Sequence, residues 1–209
     1  MKFLIVANEQ QQRELEKSDI VEHETFIFKN YLPQNSESTD FDAFFILSDF
    51  SSVNDFSFYE NKPVFINEVI HTLSELNLPS NFSRINAWPG FLQRETWEIA
   101  SNEPGKAQQV LNELKPKIIF VKDEPGLVAA RVISMIVNEA FYALGENVSS
   151  KEEIDLAMKL GTNYPQGPFE WAEKIGIEKI YSLLKKLSEK EERYIPAPAL
   201  EKLILEKGT

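Results

Sequence analysis

The bend Asn8-Glu9-Gln10 follows the first apolar run of the chain, Lys2–Ala7, and leads into a polar segment of helical character. In an α/β nucleotide-binding domain this bend holds a diphosphate against backbone amides at a helix N-terminus, and glycines leave room for it. Here the bend carries three side chains, and no glycine occurs before Gly90. The side chains would occupy the space, and Glu9 adds a charge of the wrong sign. A loss of roughly three to five orders in dinucleotide affinity is expected, at about 1.4 kcal/mol per decade. Other residues able to do chemistry are few. Cysteine is absent, which excludes disulfides and thiolate metal sites, and two histidines are too few for a His-based metal cluster. His71 precedes Thr72 near a strand's C-terminal end, where α/β sites form. It is read first as an exposed loop histidine and second as a replacement base. Trp88 and Trp97 are read as core side chains in preference to platforms for a base.

The elements that must position these residues fall into two halves. Short runs rich in Phe, Ile and Val predict strands at Lys2–Ala7, Thr25–Lys29, Ala43–Leu47, Val64–Ile66, Arg84–Trp88, Thr96–Ala100 and Ile118–Val121. Their near-continuous apolar character suits a mostly parallel sheet covered on both faces. Helices are predicted at Thr72–Leu76, where Thr72 and Glu75 suit a capping box, and at Gly105–Leu114. After Lys122–Gly126 the pattern turns wholly helical. Leu127–Leu144 is apolar nearly all round, as in a bundle or interface. Ser150 with Glu153 opens a helix expected to end at Gly161, and Pro168 and Gly176 bracket the next. Two more are expected at about Glu178–Lys190 and Ala199–Lys207.

Composition narrows the partners. A chain of 209 residues that is 43% hydrophobic, with 15 Phe and 3 Trp, can fill a real core. The net charge of −11 argues against nucleic acid or an anionic membrane as partner. Residues 1–89 hold 6 Lys and Arg against 14 Asp and Glu, so the half that would hold a diphosphate is the more acidic one. The run Phe3–Ala7 is too short for a signal-peptide core, no apolar stretch approaches a membrane span, and a cytoplasmic location is expected.

From Phe120 to Gly176 the spacing becomes specific. Lys122-Asp123, Pro125-Gly126, Arg131, Asn138-Glu139-Ala140, Glu153-Ile154-Asp155, Ala157-Met158, Leu160-Gly161, Pro165, Gly167-Pro168-Phe169-Glu170 and Gly176 stand at fixed intervals. With them the segment resembles the C-terminal domain of the 3-hydroxyacyl-CoA dehydrogenases. The resemblance implies a Rossmann-like NAD domain followed by a helical domain that dimerises and closes the cleft. It also implies oxidation of the 3-hydroxyl of an acyl-CoA in fatty-acid metabolism, with hydride passed to NAD.

Carried over position by position, that chemistry is incomplete. The family's dyad is a His that takes the hydroxyl proton and a Glu twelve residues on that orients it. "NAWPGFLQRETWE" fits the spacing and puts Asn86 at the His position and Glu98 at the Glu position. An amide does not titrate near neutral pH, and losing general-base catalysis typically costs about 10² to 10⁴ in rate. The family's substrate-cleft Asn corresponds to Ala130, and its T-S-S stretch to Asn67–His71, which holds no serine. Glu98 is weighed against a plain strand-end carboxylate. The Pro and Gly of "GTNYPQGPFEW" are helix punctuation and testify to fold.

The expected architecture is α/β plus all-α. A shortened Rossmann-like domain spans 1–122, and a helical domain of the 6-phosphogluconate-dehydrogenase C-terminal type spans 123–209. The favoured function is a 3-hydroxyacyl-CoA dehydrogenase-like protein without dehydrogenase activity, a binding or regulatory homologue that keeps a cleft for an acyl-CoA or related small molecule. No cofactor is expected where the family holds NAD. The alternatives are an active NAD-dependent enzyme with a rebuilt site and a structural partner that dimerises with an active relative. A homodimer through the helical domain is expected, because Leu127–Leu144 has more apolar surface than one small bundle buries.

Overall fold

The computed structural model describes residues 1–17, 26–29, 41–48, 59, 61–114 and 117–207, and the chain divides into two units, Met1–Leu127 and Val128–Thr209. The first unit contains β1 (Phe3–Val6), α1 (Glu9–Lys17), β2 (Phe26–Lys29), β3 (Ala43–Ile46), β4 (Val64–Asn67), β5 (Phe82–Ile85), β6 (Thr96–Ser101), α2 (Pro104–Leu111) and β7 (Lys117–Phe120). Its described strands form one sheet in the order β2-β1-β3-β4-β5-β6-β7. The first five are mutually parallel, β6 runs antiparallel to β5, and β7 is parallel to β6.

Apolar residues cover the sheet on both faces, so the strands read as unbroken hydrophobic runs. Phe3, Ile5, Phe45, Phe65, Ile85 and Ile99 join Leu15 of α1 and Val110 and Leu111 of α2 on one face. Leu4, Phe44, Ile46, Val64, Ile66 and Phe82 pack with Tyr59 on the other. Phe45 stacks on Phe65 with centroids 4.6 Å apart, and burial pushes the Tyr59 hydroxyl up to about 12.

Three expected boundaries move. β5 was expected at Arg84–Trp88 but spans Phe82–Ile85, because Asn86 leaves the ladder in a side-chain turn: its Oδ1 accepts from the Trp88 amide at 3.2 Å. Thr72 and Glu75 do form reciprocal capping bonds of 2.9 and 3.1 Å. The segment nevertheless closes as a turn, with the Leu78 amide returning to the Leu73 carbonyl just before Pro79. The first unit also extends to Leu127, beyond 122, because Arg84 clamps Asp123 at 2.6 Å.

The second unit contains α3 (Ala129–Gly145), α4 (Lys151–Thr162), α5 (Pro168–Ile175), α6 (Ile177–Ser188), a 3₁₀ turn at Glu192–Tyr194 and α7 (Pro198–Lys207). Helix α3 packs against α5, α6 and α7 through Ala130, Ile133, Ser134, Val137, Asn138 and Phe141, at helical spacing. Ser150 caps α4 with Glu153 in a complete capping box. Gly161 does not end α4; the helix runs to Thr162, and Asn163 takes the left-handed cap at φ 56°.

The most specific motif of this unit is structural. Asp155 accepts from the Phe169 and Glu170 amides at 2.8 and 3.2 Å, capping α5 from a neighbouring helix. A Cβ on Gly167 would lie 2.3 Å from Asp155 Oδ1, so only glycine fits there. Glu170 accepts from the Gly167 amide at 3.0 Å and pairs with Lys159. No helix among the described residues is long and apolar enough to cross a membrane.

Candidate functional site

Open parallel sheets bind ligands beyond the C-terminal ends of their strands, where the strand order reverses. In this sheet the reversal lies between β1 and β3, and β1 leads directly into α1. Asn8 is the cap of α1. Its Oδ1 accepts from the Gln11 amide at 2.9 Å, and Gln11 Oε1 accepts from the Asn8 amide at 3.0 Å. The Asn8 carbonyl accepts from Gln12 at 3.0 Å, and the Gln12 side chain returns to the Ala7 carbonyl at 3.1 Å. A reciprocal box of this kind satisfies helix-start amides from within.

Gln11 then reaches further. Its side-chain amide donates to the Leu47 carbonyl, just past β3, and to the Ala87 carbonyl at 3.3 Å, just past β5. Asn67, at the end of β4, donates to the same Leu47 carbonyl at 3.0 Å and accepts from the Ala87 amide at 2.9 Å. Two carboxamides therefore join the C-terminal rims of β3, β4 and β5 to one another and, through Gln11, to α1. Glu14, buried on the next turn of α1, accepts from the Gly90 amide at 2.7 Å. The Asn8 and Gln11 amides are engaged, Gln11 fills the crevice, and Glu9 projects a carboxylate at the bend. These residues do not fit the pyrophosphate of NAD.

The antiparallel ladder pairs Ser83 with Ser101, Arg84 with Ala100 and Ile85 with Ile99; continuing its register would set Asn86 opposite Glu98, but the pairing stops at Ile85, where Asn86 turns out of the strand. Asn86 is only 4% exposed. Its Oδ1 is held by the Trp88 amide, which turns Nδ2 the other way, and that buried donor has no hydrogen-bond partner among the described residues. Glu98 is half-buried and acts electrostatically on Arg94, whose guanidinium stacks 4.0 Å over Phe91. Burial holds Arg94 below its ordinary value, with the Glu98 charge acting in the opposite sense.

Ala130 is fully buried on α3 in the second unit. His71 is half exposed and lies 3.4 Å from Glu68, whose carboxylate also takes the Ile70 and His71 amides at 2.8 Å. Trp88 and Trp97 are both buried, and Trp97 donates to the Leu92 carbonyl at 3.1 Å. No group of three or more potential ligands for a metal ion occurs among the described residues.

Sequence reasoning missed Gln11, Glu14, Arg84 and Asp123. Arg84 is fully buried and binds Asp123 and the Glu68, Val69 and Glu124 carbonyls. Asp123 in turn accepts from the Leu73 and Ser74 amides. An arginine inside an apolar strand was the available signal, since a buried guanidinium demands a partner. In the second unit, a groove of about 580 Å³ runs between α3 and α4, lined by Val132, Met135, Ile136 and Met158 with Arg131 and Arg193.

Residues 126–208 match the family model of the 3-hydroxyacyl-CoA dehydrogenase C-terminal domain. The 3-hydroxyadipyl-CoA dehydrogenase of Escherichia coli (strain K12) is 40% identical over 106 residues, which are 49% of this chain and 22% of that enzyme. The 3-hydroxybutyryl-CoA dehydrogenase of Bradyrhizobium diazoefficiens is 34% identical over 100 residues, 47% of this chain and 34% of that one. The matches thus span about a fifth to a third of these relatives' length. The crystal structure of (S)-3-hydroxybutyryl-CoA dehydrogenase PaaH1 from Ralstonia eutropha superposes with a TM-score of 0.68 at 21% identity, covering 88% of this chain and 71% of that one, and shares the fold.

Proposed function

We propose that this chain, whose residues 126–208 match the 3-hydroxyacyl-CoA dehydrogenase C-terminal domain model, is a member of that family that has given up NAD-dependent hydride transfer and serves as an acyl-CoA-binding or regulatory homologue. The single observation that carries this reading is the bend after β1, where Asn8 and Gln11 cap one another and Gln11 occupies the crevice. The amide at Asn86 supports it, since that side chain takes up no proton near neutral pH. The twelve-residue spacing of Asn86 and Glu98, which fits the family dyad, supports a retained thioester ligand over a purely architectural role.

Calorimetric titration of the full chain with NAD, and separately with acetoacetyl-CoA, tests the reading. Saturable binding of the thioester with no heat from NAD is expected, and micromolar NAD binding overturns it.

A homodimer through α3 is part of the proposal. Val132 is 51% exposed, and the groove beside it is almost wholly apolar apart from its arginines and Glu139. Monomer sedimentation at tens of micromolar overturns that part alone.

A further inference from the structure

We propose that the groove between α3 and α4 is a peroxide-sensitive switch of assembly, in which oxidation of Met135 and Met158 to sulfoxides releases the homodimer. The proposal deepens the reading above and rests on its homodimer. The chain has no cysteine, and beyond Met1 its only sulfur atoms are those of Met135 and Met158. Both thioethers line this one groove, Met135 from α3 and Met158 from α4, beside Val132, Ile136 and Ile154. Both are partly exposed in the single chain. Unbranched, polarizable side chains of this kind adapt readily to a partner surface, and they are the ones that peroxide turns polar.

The charges beside the groove point to a second copy as its cover. Arg131 and Glu139 both line it from α3, about 12 Å apart along the helix axis. Arg131 lies over the Tyr194 ring at 5.6 Å, and Glu139 is exposed. Met135 stands midway between them in the sequence. A second copy laid antiparallel across Met135 therefore sets each arginine against a glutamate, the self-complementarity that a two-fold interface requires. The same axis brings Met135 against its own counterpart at the centre of the covered surface. Hydrogen peroxide reaches the thioethers in the separated chains. The sulfur lone pair attacks one peroxide oxygen, the O–O bond breaks as the S–O bond forms, and the departing hydroxide takes the remaining proton and leaves as water. Sulfur is oxidised and peroxide reduced by one electron pair. The sulfoxide oxygen finds no donor in the side chains of Val132, Ile136 or Ile154. Of the groove's cations, Arg131 is taken by the interfacial glutamate and Arg193 holds Glu191 at 2.8 Å. Closing the interface over the sulfoxide strips its water without compensation.

Sedimentation velocity of the full chain at tens of micromolar, before and after hydrogen peroxide, tests the proposal, with oxygen uptake at each methionine read by peptide mass spectrometry. A dimer is expected before treatment. Oxidation of both thioethers should raise its dissociation constant about a hundredfold, roughly a decade for each buried acceptor left unpaired. Helicity by circular dichroism should stay unchanged, and the methionine sulfoxide reductases, one for each sulfoxide epimer, should restore the dimer. Met135→Leu with Met158→Leu keeps the apolar volume and should give a dimer that peroxide leaves intact. Where that variant fails to fold, the wild-type chain with its reductase recovery decides alone. A dimer that persists with Met135 and Met158 oxidised overturns the switch. So does a folded leucine variant that peroxide still dissociates, a loss of helicity on oxidation, or thioethers that stay reduced while Met1 is oxidised. An untreated chain that sediments as a monomer overturns the homodimer and this inference with it.

Discussion

Replacing Gln11 tests the stitched rim most directly. Gln11 is 6% exposed and makes three side-chain bonds to groups outside its own residue: it accepts from Asn8 and donates to the Leu47 and Ala87 carbonyls. At about 1 kcal/mol net for each bond, Gln11→Ala should cost about 3 kcal/mol. Two features reduce that figure. Leu47 keeps its bond from Asn67, and the Ala87 bond is long at 3.3 Å, so about 2 kcal/mol is expected. Gln11→Glu should be worse at neutral pH, because a buried carboxylate then faces two carbonyl oxygens. Burial raises the pKa of that carboxyl in the folded state. Its added cost is therefore present above the raised folded value and vanishes below the unfolded value of about 4.3. Urea unfolding followed by tryptophan fluorescence in a Trp171→Phe background reads Trp88 and Trp97, both in the first unit. A Gln11→Ala protein within about 0.5 kcal/mol of its parent, or a Gln11→Glu protein no less stable than Gln11→Ala at pH 7, refutes the reasoning.

Arg84→Met should cost about 3 kcal/mol in the same assay, the low end for breaking a buried pair, since Asp123 retains the Leu73 and Ser74 amides. Gly167→Ala places a Cβ 2.3 Å from Asp155 Oδ1 and should dislodge the cap of α5, for about 2 kcal/mol and a clear fall in the helical melting temperature. Glu153 and Glu170 are held below their ordinary 4.5, Glu153 chiefly by the Ser149 hydroxyl and Glu170 chiefly by Lys159. Because both values are depressed in the folded state, their contribution is full above 4.5 and falls away as pH drops through the depressed values. Helicity measured by circular dichroism from pH 6 to 2 should show this decline, and Glu153→Gln with Glu170→Gln should flatten it.

Much of the scaffold was legible because it depends on local pattern. The buried strands announce themselves as apolar runs, and Ser150 with Glu153 announces the start of α4. What escaped depends on distance in sequence. Arg84 and Asp123 are 39 positions apart, and nothing local links them. Asn8-Glu9-Gln10-Gln11 has the composition of a solvated helix start, so the bend could be read as lacking glycine but not as internally capped. The β5 boundary failed for a related reason: Trp88 belongs to the apolar run by composition, while Asn86 uses its own side chain to end the strand. The pairing of Asn86 with Glu98 was an implication of the resemblance alone, and the β5–β6 ladder ends at Ile85 and Ile99, one rung before them.

That register has an evolutionary corollary. Asn86 stands one step past the last paired rung, so the β5–β6 ladder sets where that position falls whatever residue fills it. One nucleotide change turns an asparagine codon into a histidine codon, whereas reopening the entry to α1 requires clearing several side chains at once. Placing an imidazole at position 86 is thus a far shorter step than clearing the entry to α1, and a chain that took only the first would gain a titratable group without gaining room for a dinucleotide.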